Sequence, residues 1–269
     1  MKRLQFTPGR TLICGIVNVT PDSFSDGGKW TSKEAAVAHA LELEAQGADM
    51  LDIGGESSRP GSAPVDLAEE KRRILPVLEA LAGRLEVPVS VDTCKPELAE
   101  LALKAGADLV NDITGFKSPA MVEAAASAGA GVVVMHMQGE PRTMQAAPIY
   151  KDVVAEVKLF LAERAAALKA AGAGQIILDP GIGFGKTLEH NLALIARLGE
   201  IRALGYPVML GVSRKKFINL LAGGEAHERL SGTIAACVAA GPAADIIRVH
   251  DVAECRRAML VADAVRAAR

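Results

Sequence analysis

The chain has almost no excess of charge of either sign. Its 269 residues contain 30 Lys and Arg against 32 Asp and Glu, a net charge of −2. Proteins that bind nucleic acids or anionic membranes through charge usually carry a basic stripe or patch. The short basic clusters at 71–73 and 214–216 do not form such a stripe. We therefore expect no nucleic acid and no membrane among its partners.

Long apolar runs and paired cysteines are also missing. No run approaches the ~18 residues of a membrane span, and the segment before Leu12 lacks the apolar stretch of a signal peptide. The four cysteines include no C-x-x-C pair and are not accompanied by His-x₃-His; they are Cys14, Cys94, Cys237 and Cys255. We therefore expect neither a zinc site nor a disulfide framework, and we predict a cytoplasmic protein with reduced thiols.

What the sequence does contain is eight apolar runs, each of which stops abruptly at a polar residue or a glycine. The runs stop at Asn18, Asp52, Asp92, Asn111, His136, Asp179, Gly211 and His250. Between these runs, apolar residues recur at the spacing of a helix. Apolar strands that alternate with helices form a parallel sheet. Eight such units predict an α/β protein, a (β/α)₈ TIM barrel, as a single domain over residues 1–269.

The eight strands are predicted at 12–17, 50–53, 87–92, 109–112, 131–136, 176–179, 208–211 and 246–249, and one helix is predicted over 188–204. Two long loops, 18–30 and 54–64, are rich in Gly, Ser and Pro. Loops of this length in a compact barrel are usually functional. We expect both to be mobile and to close over bound substrate.

The carboxyl ends of barrel strands carry the chemistry in this fold. Asp92 and Asp179 could each accept from a fork of N–H donors such as an amino-oxo pyrimidine ring presents, and Asn111 supplies both a donor and an acceptor. The alternative is that these side chains cap helices. Asp112 should point the opposite way and serve the structure.

Arg248 and His250 stand two residues apart, so both face the same side of a strand and could clamp a phosphate or diphosphate. The alternative is salt bridging to Asp251 or Glu254. Residues 213–216 open the helix after the seventh strand, where anions are favoured, and Lys215 should point inward.

The glycine-rich segment 179–187 is not a Walker loop, because only three residues separate Gly181 from Gly185. We interpret its glycines as allowing the backbone to approach a flat ligand on which Phe184 stacks; the alternative is a turn with a core Phe. For His136, a satisfied core position and a ligand-facing position remain equally open.

These residues lie in segments that resemble one family. IVNVTPDSFSDGG at 16–28 and DIGGESSRPG at 52–61 closely resemble two signatures of the dihydropteroate synthases. Further matches follow in order along the chain, at 90–93, 110–115, 179–186, 211–215 and 248–250. Two departures occur: Ser58 stands where the family often has Thr, and Lys216 stands where many members have Ser.

The resemblance implies a usually dimeric barrel enzyme of folate synthesis that depends on Mg²⁺. Such enzymes condense 6-hydroxymethyl-7,8-dihydropterin diphosphate with p-aminobenzoate, giving dihydropteroate and diphosphate. The implied sites fall into four groups. They are Asp92, Asn111, Asp179 and Lys215 for the pterin ring; Arg248 and His250 for the diphosphate, with Asn18 on the metal; Ser58 and Arg59 in the second loop, Ser58 near the substrate; and Phe24, Pro60, Phe184 and Ser213 for the aminobenzoate.

We expect an SN1-like displacement in which Asp92 stabilises a pterin-methyl cation, with Lys215, Arg248 and His250 as the other catalytic residues. Lys216 either serves the aminobenzoate carboxylate or turns away from it. Two other functions stay open: a methyltetrahydrofolate-dependent methyltransferase, which would not need the diphosphate clamp, and a catalytically weak pterin-binding paralogue, which should have lost parts of the loops or clamp.

Overall fold

A computed structural model of the chain, described over residues 1–20, 32–57, 64–140 and 143–268, contains one parallel sheet. Its eight strands in these ranges are β1 Leu12–Asn18, β2 Met50–Gly54, β3 Val89–Asp92, β4 Leu109–Asp112, β5 Gly131–Met135, β6 Ile176–Asp179, β7 Met209–Leu210 and β8 Ile246–Val249. The order in the sheet is β6-β5-β4-β3-β2-β1-β8-β7. A parallel bridge between Leu178 and Val208 brings β6 beside β7. The barrel is therefore nearly closed, and the predicted fold class is confirmed.

Helices surround this sheet. Those in the described ranges are α1 Ser32–Ala45, α2 Leu67–Leu81, α3 Pro96–Lys104, α4 Pro119–Ser127, α5 Val153–Ala171, α6 Leu188–Ala196, α7 Leu198–Arg202, α8 Lys216–Ala222, α9 Leu230–Ala240 and α10 Val252–Ala267. The single helix predicted over 188–204 is wrong. Arg197 leaves helical geometry, with φ −106° and ψ 20°, and divides the segment into α6 and α7.

Side chains alternate along the strands between the helices and the barrel interior, as pleated strands require. The outward set, including Ile13, Val17 and Leu51, packs with the apolar faces of the helices in the main core. The inward set forms a separate buried cluster with Leu4; its strand members are Leu12, Cys14, Met50, Leu109, Val133, Ile177, Met209 and Ile246. We call this cluster the apolar layer.

The next inward-facing position on several strands is polar. Because alternation repeats every two residues, Asp52 follows Met50, Asn111 follows Leu109, Asp179 follows Ile177 and Arg248 follows Ile246 on the same side. The inward side chains Asp52, Asp92, Asn111, Asp179 and Arg248 are called the polar layer. It lies at the carboxyl ends of the strands, directly above the apolar layer. Among the described helices, none is long and apolar enough to cross a membrane.

Candidate active site

Arg248 joins two acids across the polar layer. Its Nε donates to Asp52 Oδ2 at 2.6 Å, and its Nη2 donates to Asp92 Oδ2 at 2.9 Å. Asn111 Nδ2 also donates to Asp52 Oδ2, at 2.9 Å. The structure thus brings together side chains from β2, β3, β4 and β8 in one hydrogen-bonded group.

The electrostatics of this group follow from its burial. Burial raises the pKa of Asp92 to about 7; the charge of Asp52 adds to the shift, and the charge of Arg248 opposes it. Burial tends to lower the pKa of Arg248, but the charges of Asp52 and Asp92 outweigh it and the net pKa is raised. Arg248 therefore remains a cation, whereas Asp92 can change charge near neutral pH.

Asp179 and Lys215 lie together on the other side of the barrel mouth. A Cβ at Gly211 would be 3.8 Å from both Asp179 Oδ2 and Lys215 Nζ, so both groups face that glycine. Burial lowers the pKa of Lys215 to about 8, opposed by the charge of Asp179. Burial also raises the pKa of Asp179, against the charge of Lys215. The pair offers an acceptor and a donor to one ligand edge.

The glycine-rich loop between β6 and α6 packs closely against neighbouring parts of the protein. Gly181 has φ +68°, and a Cβ there would be 1.9 Å from the His136 carbonyl oxygen, which excludes any side chain. Gly183 has φ +84°, and a Cβ there would be 3.2 Å from Lys215 Cδ. The close approaches at these two glycines are to the His136 carbonyl and the Lys215 side chain, and approach of a flat ligand to this loop stays a prediction. Stacking of a ligand on Phe184 stays a prediction; the Lys215 ammonium lies 4.7 Å from the centroid of its ring.

A second lysine, Lys186, is buried and bonds to the same loop. It is 3% exposed and donates to the Phe184 carbonyl at 2.9 Å, and its Nζ lies 3.0 Å from His136 Nδ1. Burial lowers the pKa of Lys186 to about 7. His136 also packs edge-to-face on Phe160, at 5.0 Å between ring centroids. These contacts favour the core position for His136 over the ligand-facing one.

The residues at the end of β8 and after β7 that were predicted to bind an anion have different partners in the structure. Ser213 Oγ lies 2.9 Å from His250 Nδ1 and accepts from the His250 backbone N–H at 3.2 Å. Arg214 pairs with Asp251, its Nε at 3.0 Å from Oδ2. Lys216 is exposed. The salt bridges from Arg248 thus go to Asp52 and Asp92, not to Asp251 as the alternative proposed. The helix begins at Lys216, so its predicted opening at Ser213 is also wrong.

Asp112 does turn away from the polar layer. It is fully buried and accepts from the Thr114 N–H and the Phe116 N–H, each at 2.8 Å. These bonds hold a turn in which Phe116 adopts a positive φ of 57°. Asp112 therefore shapes the loop after β4.

Some predicted site residues lie outside the described residues. These are Phe24, Ser58, Arg59 and Pro60, together with most of the two long loops. Asn18 is described: it ends β1 half-buried, in register with Gly54 of β2. Within the described ranges, no group of three or more His, Cys, Asp or Glu side chains could hold a metal ion.

Two site residues were given no role by the sequence reasoning. Asp52 ends one of the apolar runs. Its position two residues after the inward-facing Met50 indicates that its side chain also faces the barrel interior. Lys186 belonged to a matched segment, but a lysine in a loop normally extends into solvent. Only its burial in the structure shows that it contacts His136 and Phe184.

Comparison with known proteins agrees with this geometry. Residues 14–250 match the family described as pterin binding enzymes. The dihydropteroate synthase of Escherichia coli K12 is 49% identical over 260 residues, covering 96% of this chain and 92% of that protein. Xanthomonas albilineans dihydropteroate synthase, solved with 4-aminobenzoic acid, is 48% identical with a TM-score of 0.90, covering 96% of this chain and 94% of that one. A structure from the same organism in complex with 7,8-dihydropteroate is 46% identical with a TM-score of 0.88, covering 97% and 95%.

Proposed function

The chain belongs to the dihydropteroate synthase family of pterin-binding enzymes and is a transferase, and from this premise we propose its reaction. It condenses 6-hydroxymethyl-7,8-dihydropterin diphosphate with p-aminobenzoate to give 7,8-dihydropteroate and diphosphate. The observation that carries this proposal is the polar layer together with Lys215: three acids, an amide and two cations lie at the mouth of the barrel. A pterin ring edge and a diphosphate together match that set of donors and acceptors.

The pterin ring is held by the side chains that line the mouth. Asp179 accepts from the amino and ring N–H groups, because an ionised carboxylate offers two oxygens to such a fork. Asn111 and Asp92 meet the opposite edge, and Lys215 donates to the ring oxygen. Methyltetrahydrofolate-dependent methyltransferases could share this ring pocket, so the remaining groups decide between the two functions.

Those groups are Arg248 on β8, His250 directly after it, and Ser213 in the loop after β7. Arg248 and His250 bind the diphosphate, and Ser213 orients the His250 ring through the 2.9 Å contact. The second loop contributes Ser58 and Arg59. Phe184 and Ser213 border the aminobenzoate. A methyl transfer has no diphosphate to hold, so these groups favour the synthase.

Mg²⁺ is the cofactor we propose, with Asn18 as its protein ligand. The amide oxygen of Asn18 is a hard donor at the carboxyl end of β1, and Mg²⁺ commonly takes one or two protein oxygens while substrate phosphates and water supply the rest. The donor chemistry therefore fits, and a multi-carboxylate cage is not required. When bound, Mg²⁺ would neutralise charge on the departing diphosphate.

The chemical step is an SN1-like displacement. The C–O bond between the pterin methylene and the diphosphate breaks, and the electron pair leaves with the diphosphate into the field of Arg248 and His250. The ring shares the positive charge left on the methylene, and ionised Asp92 stabilises it. The aminobenzoate nitrogen then forms the new C–N bond and releases a proton. Such a path needs no strong general base.

We also propose that the protein is a homodimer and that it acts in the cytoplasm. Exposed aliphatic side chains on the contacting helices α9 and α10 support self-association; they are Val238, Leu260, Val261 and Val265, each at least 43% exposed. Light scattering of the purified protein should give twice the mass of 28.0 kDa.

One assay tests the reaction. The purified protein is incubated with Mg²⁺ and both substrates, and dihydropteroate is measured by mass spectrometry. Product should form with Mg²⁺, disappear with EDTA and return with excess Mg²⁺. Failure to form dihydropteroate would defeat the proposed reaction, and metal-independent formation would remove the role of Asn18.

A further inference from the structure

Asp52 lies at the centre of the polar layer. Its side chain is 1% exposed, and its Oδ2 accepts from both Arg248 Nε and Asn111 Nδ2. No other carboxylate in the described residues touches both the cation and the amide of this layer. Asp52 therefore couples the proposed diphosphate end of the site to the proposed pterin end.

Each bond fixes a different property. An ionised carboxylate can only accept, so the bond from Asn111 turns the amide nitrogen toward Asp52 and leaves the amide oxygen for a ligand. The bonds from Arg248 to Asp52 and Asp92 use two of its five N–H donors and hold the planar guanidinium in one orientation. The other donors of Arg248 keep a fixed direction.

The second oxygen of Asp52 marks this group as incomplete. Oδ1 is buried and accepts no hydrogen bond from the described residues. A buried, unpaired carboxylate oxygen is unfavourable until a donor reaches it.

We propose that Asp52 is a positioning residue that sets the Asn111 amide for the pterin ring and restrains Arg248 from binding diphosphate too tightly. Because Arg248 stays bonded to Asp52 and Asp92, it holds the diphosphate less tightly, and this leaving group can then depart. This inference rests on the proposed function, because it assigns the two ends of the layer to the two parts of that substrate.

The test is Asp52→Asn, studied by calorimetry with two separate probes. With 6-hydroxymethylpterin, affinity should fall by about tenfold, since Asn111 loses a charged partner. With inorganic diphosphate and Mg²⁺, affinity should rise by about twofold to fivefold, because Arg248 keeps only one carboxylate partner. A purely structural role predicts that both affinities fall together. Parallel loss, or no change in either, would overturn the proposal.

Asp112→Asn is the matched control. Asp112 is also fully buried and lies beside Asn111, but it faces away from the barrel interior. Its substitution should lower stability while leaving the ratio of the two affinities unchanged. A change in that ratio as large as in Asp52→Asn would count against a specific role for Asp52.

A measurement on the unsubstituted protein covers the case in which Asp52→Asn does not fold. Nitrogen-15 NMR should show the Arg248 Nε–H exchanging with water far more slowly than exposed arginines such as Arg72, and still slowly with diphosphate bound. Fast exchange in the free protein would overturn the proposal. The dihydropteroate assay is independent of all these results, so failure of the proposed function and failure of this inference are distinguishable.

Discussion

The two layers inside the barrel differ in chemistry although the same strands build them. Arg248 lies two positions after Ile246, Asn111 two after Leu109, and Asp179 two after Ile177. The lower position packs in a closed aliphatic cluster, whereas the upper position holds charge or an amide. We therefore expect the apolar layer to serve stability and the polar layer to serve the proposed function.

The division has a physical cause. Burial of apolar side chains gains roughly 25 cal/mol per Å², but a buried ion pair often gains little because desolvation offsets attraction. The apolar layer therefore supports an upper layer that is shaped for ligands. Substitutions in the apolar layer should change stability with little effect on binding, whereas substitutions in the polar layer should also weaken ligand binding.

Arg248→Ala should give the largest effect. It leaves Asp52 and Asp92 without their shared cation, which costs about 3–5 kcal/mol for an uncompensated buried charge. The variant also loses the cation assigned to the diphosphate, so steady-state kinetics should show turnover lowered by roughly 10² to 10³, as for loss of one charge-stabilising donor. Calorimetry should show weakened binding of diphosphate. Unchanged diphosphate affinity would remove Arg248 from the clamp.

Met209→Ala tests the lower layer and should mainly affect stability. Met209 is fully buried in the apolar layer, and truncation should lower the free energy of unfolding by about 2–5 kcal/mol. Denaturant titration measures this loss. Affinity for 6-hydroxymethylpterin, measured on the folded fraction, should stay within about twofold of the unsubstituted protein, a difference of less than 1 kcal/mol. A large loss of affinity would show that the layers are not separable.

Asp179→Ala should weaken pterin binding by about 1–3 kcal/mol, the cost of leaving ligand donors unpaired. Turnover of the bound substrate should change less, because we assign this carboxylate to the ring and not to the reacting methylene. Calorimetry with 6-hydroxymethylpterin, beside single-turnover rates, separates the two. An unchanged affinity would contradict the assigned role.

The pH dependence of kcat/KM should be bell-shaped with a narrow maximum. Asp92 must be ionised to stabilise a cation, so activity falls as pH drops through its pKa of about 7. Lys215 must be protonated to donate, so activity falls as pH rises through its pKa of about 8. Asp92→Asn should be slow and should lack the acid limb; retention of that limb would assign it to another group.

Lys216→Ala should give the smallest effect. Lys216 is exposed at the start of α8, and an exposed cation contributes about 0–1 kcal/mol to an ion pair. The KM for aminobenzoate should therefore rise by about fivefold at most, the equivalent of that energy. Lys216→Ser is the matched comparison, because it restores the hydroxyl that many family members carry. A loss of more than tenfold would mean that Lys216 is the main ligand of the carboxylate.

The sequence predicted the barrel well because strand patterns are local. Strands 109–112, 176–179 and 246–249 were placed correctly, since apolar runs that stop abruptly show both ends of a buried strand. Division of 188–204 into two helices was missed, because the backbone break at Arg197 leaves no mark in apolar periodicity. The contact between Arg197 and Asp152 joins residues 45 positions apart.

The same distinction holds for the site. The sequence by itself determined which residues end the strands, and the two-residue period determined that Asp52, Asn111, Asp179 and Arg248 face inward. Only the tertiary structure decided their partners. Arg248 meets Asp52 across 196 positions and Asp92 across 156, and those contacts depend on the stagger of strands in the nearly closed barrel. Burial, which shifts the pKa values of Asp92 and Lys215, exists only once the barrel closes around them.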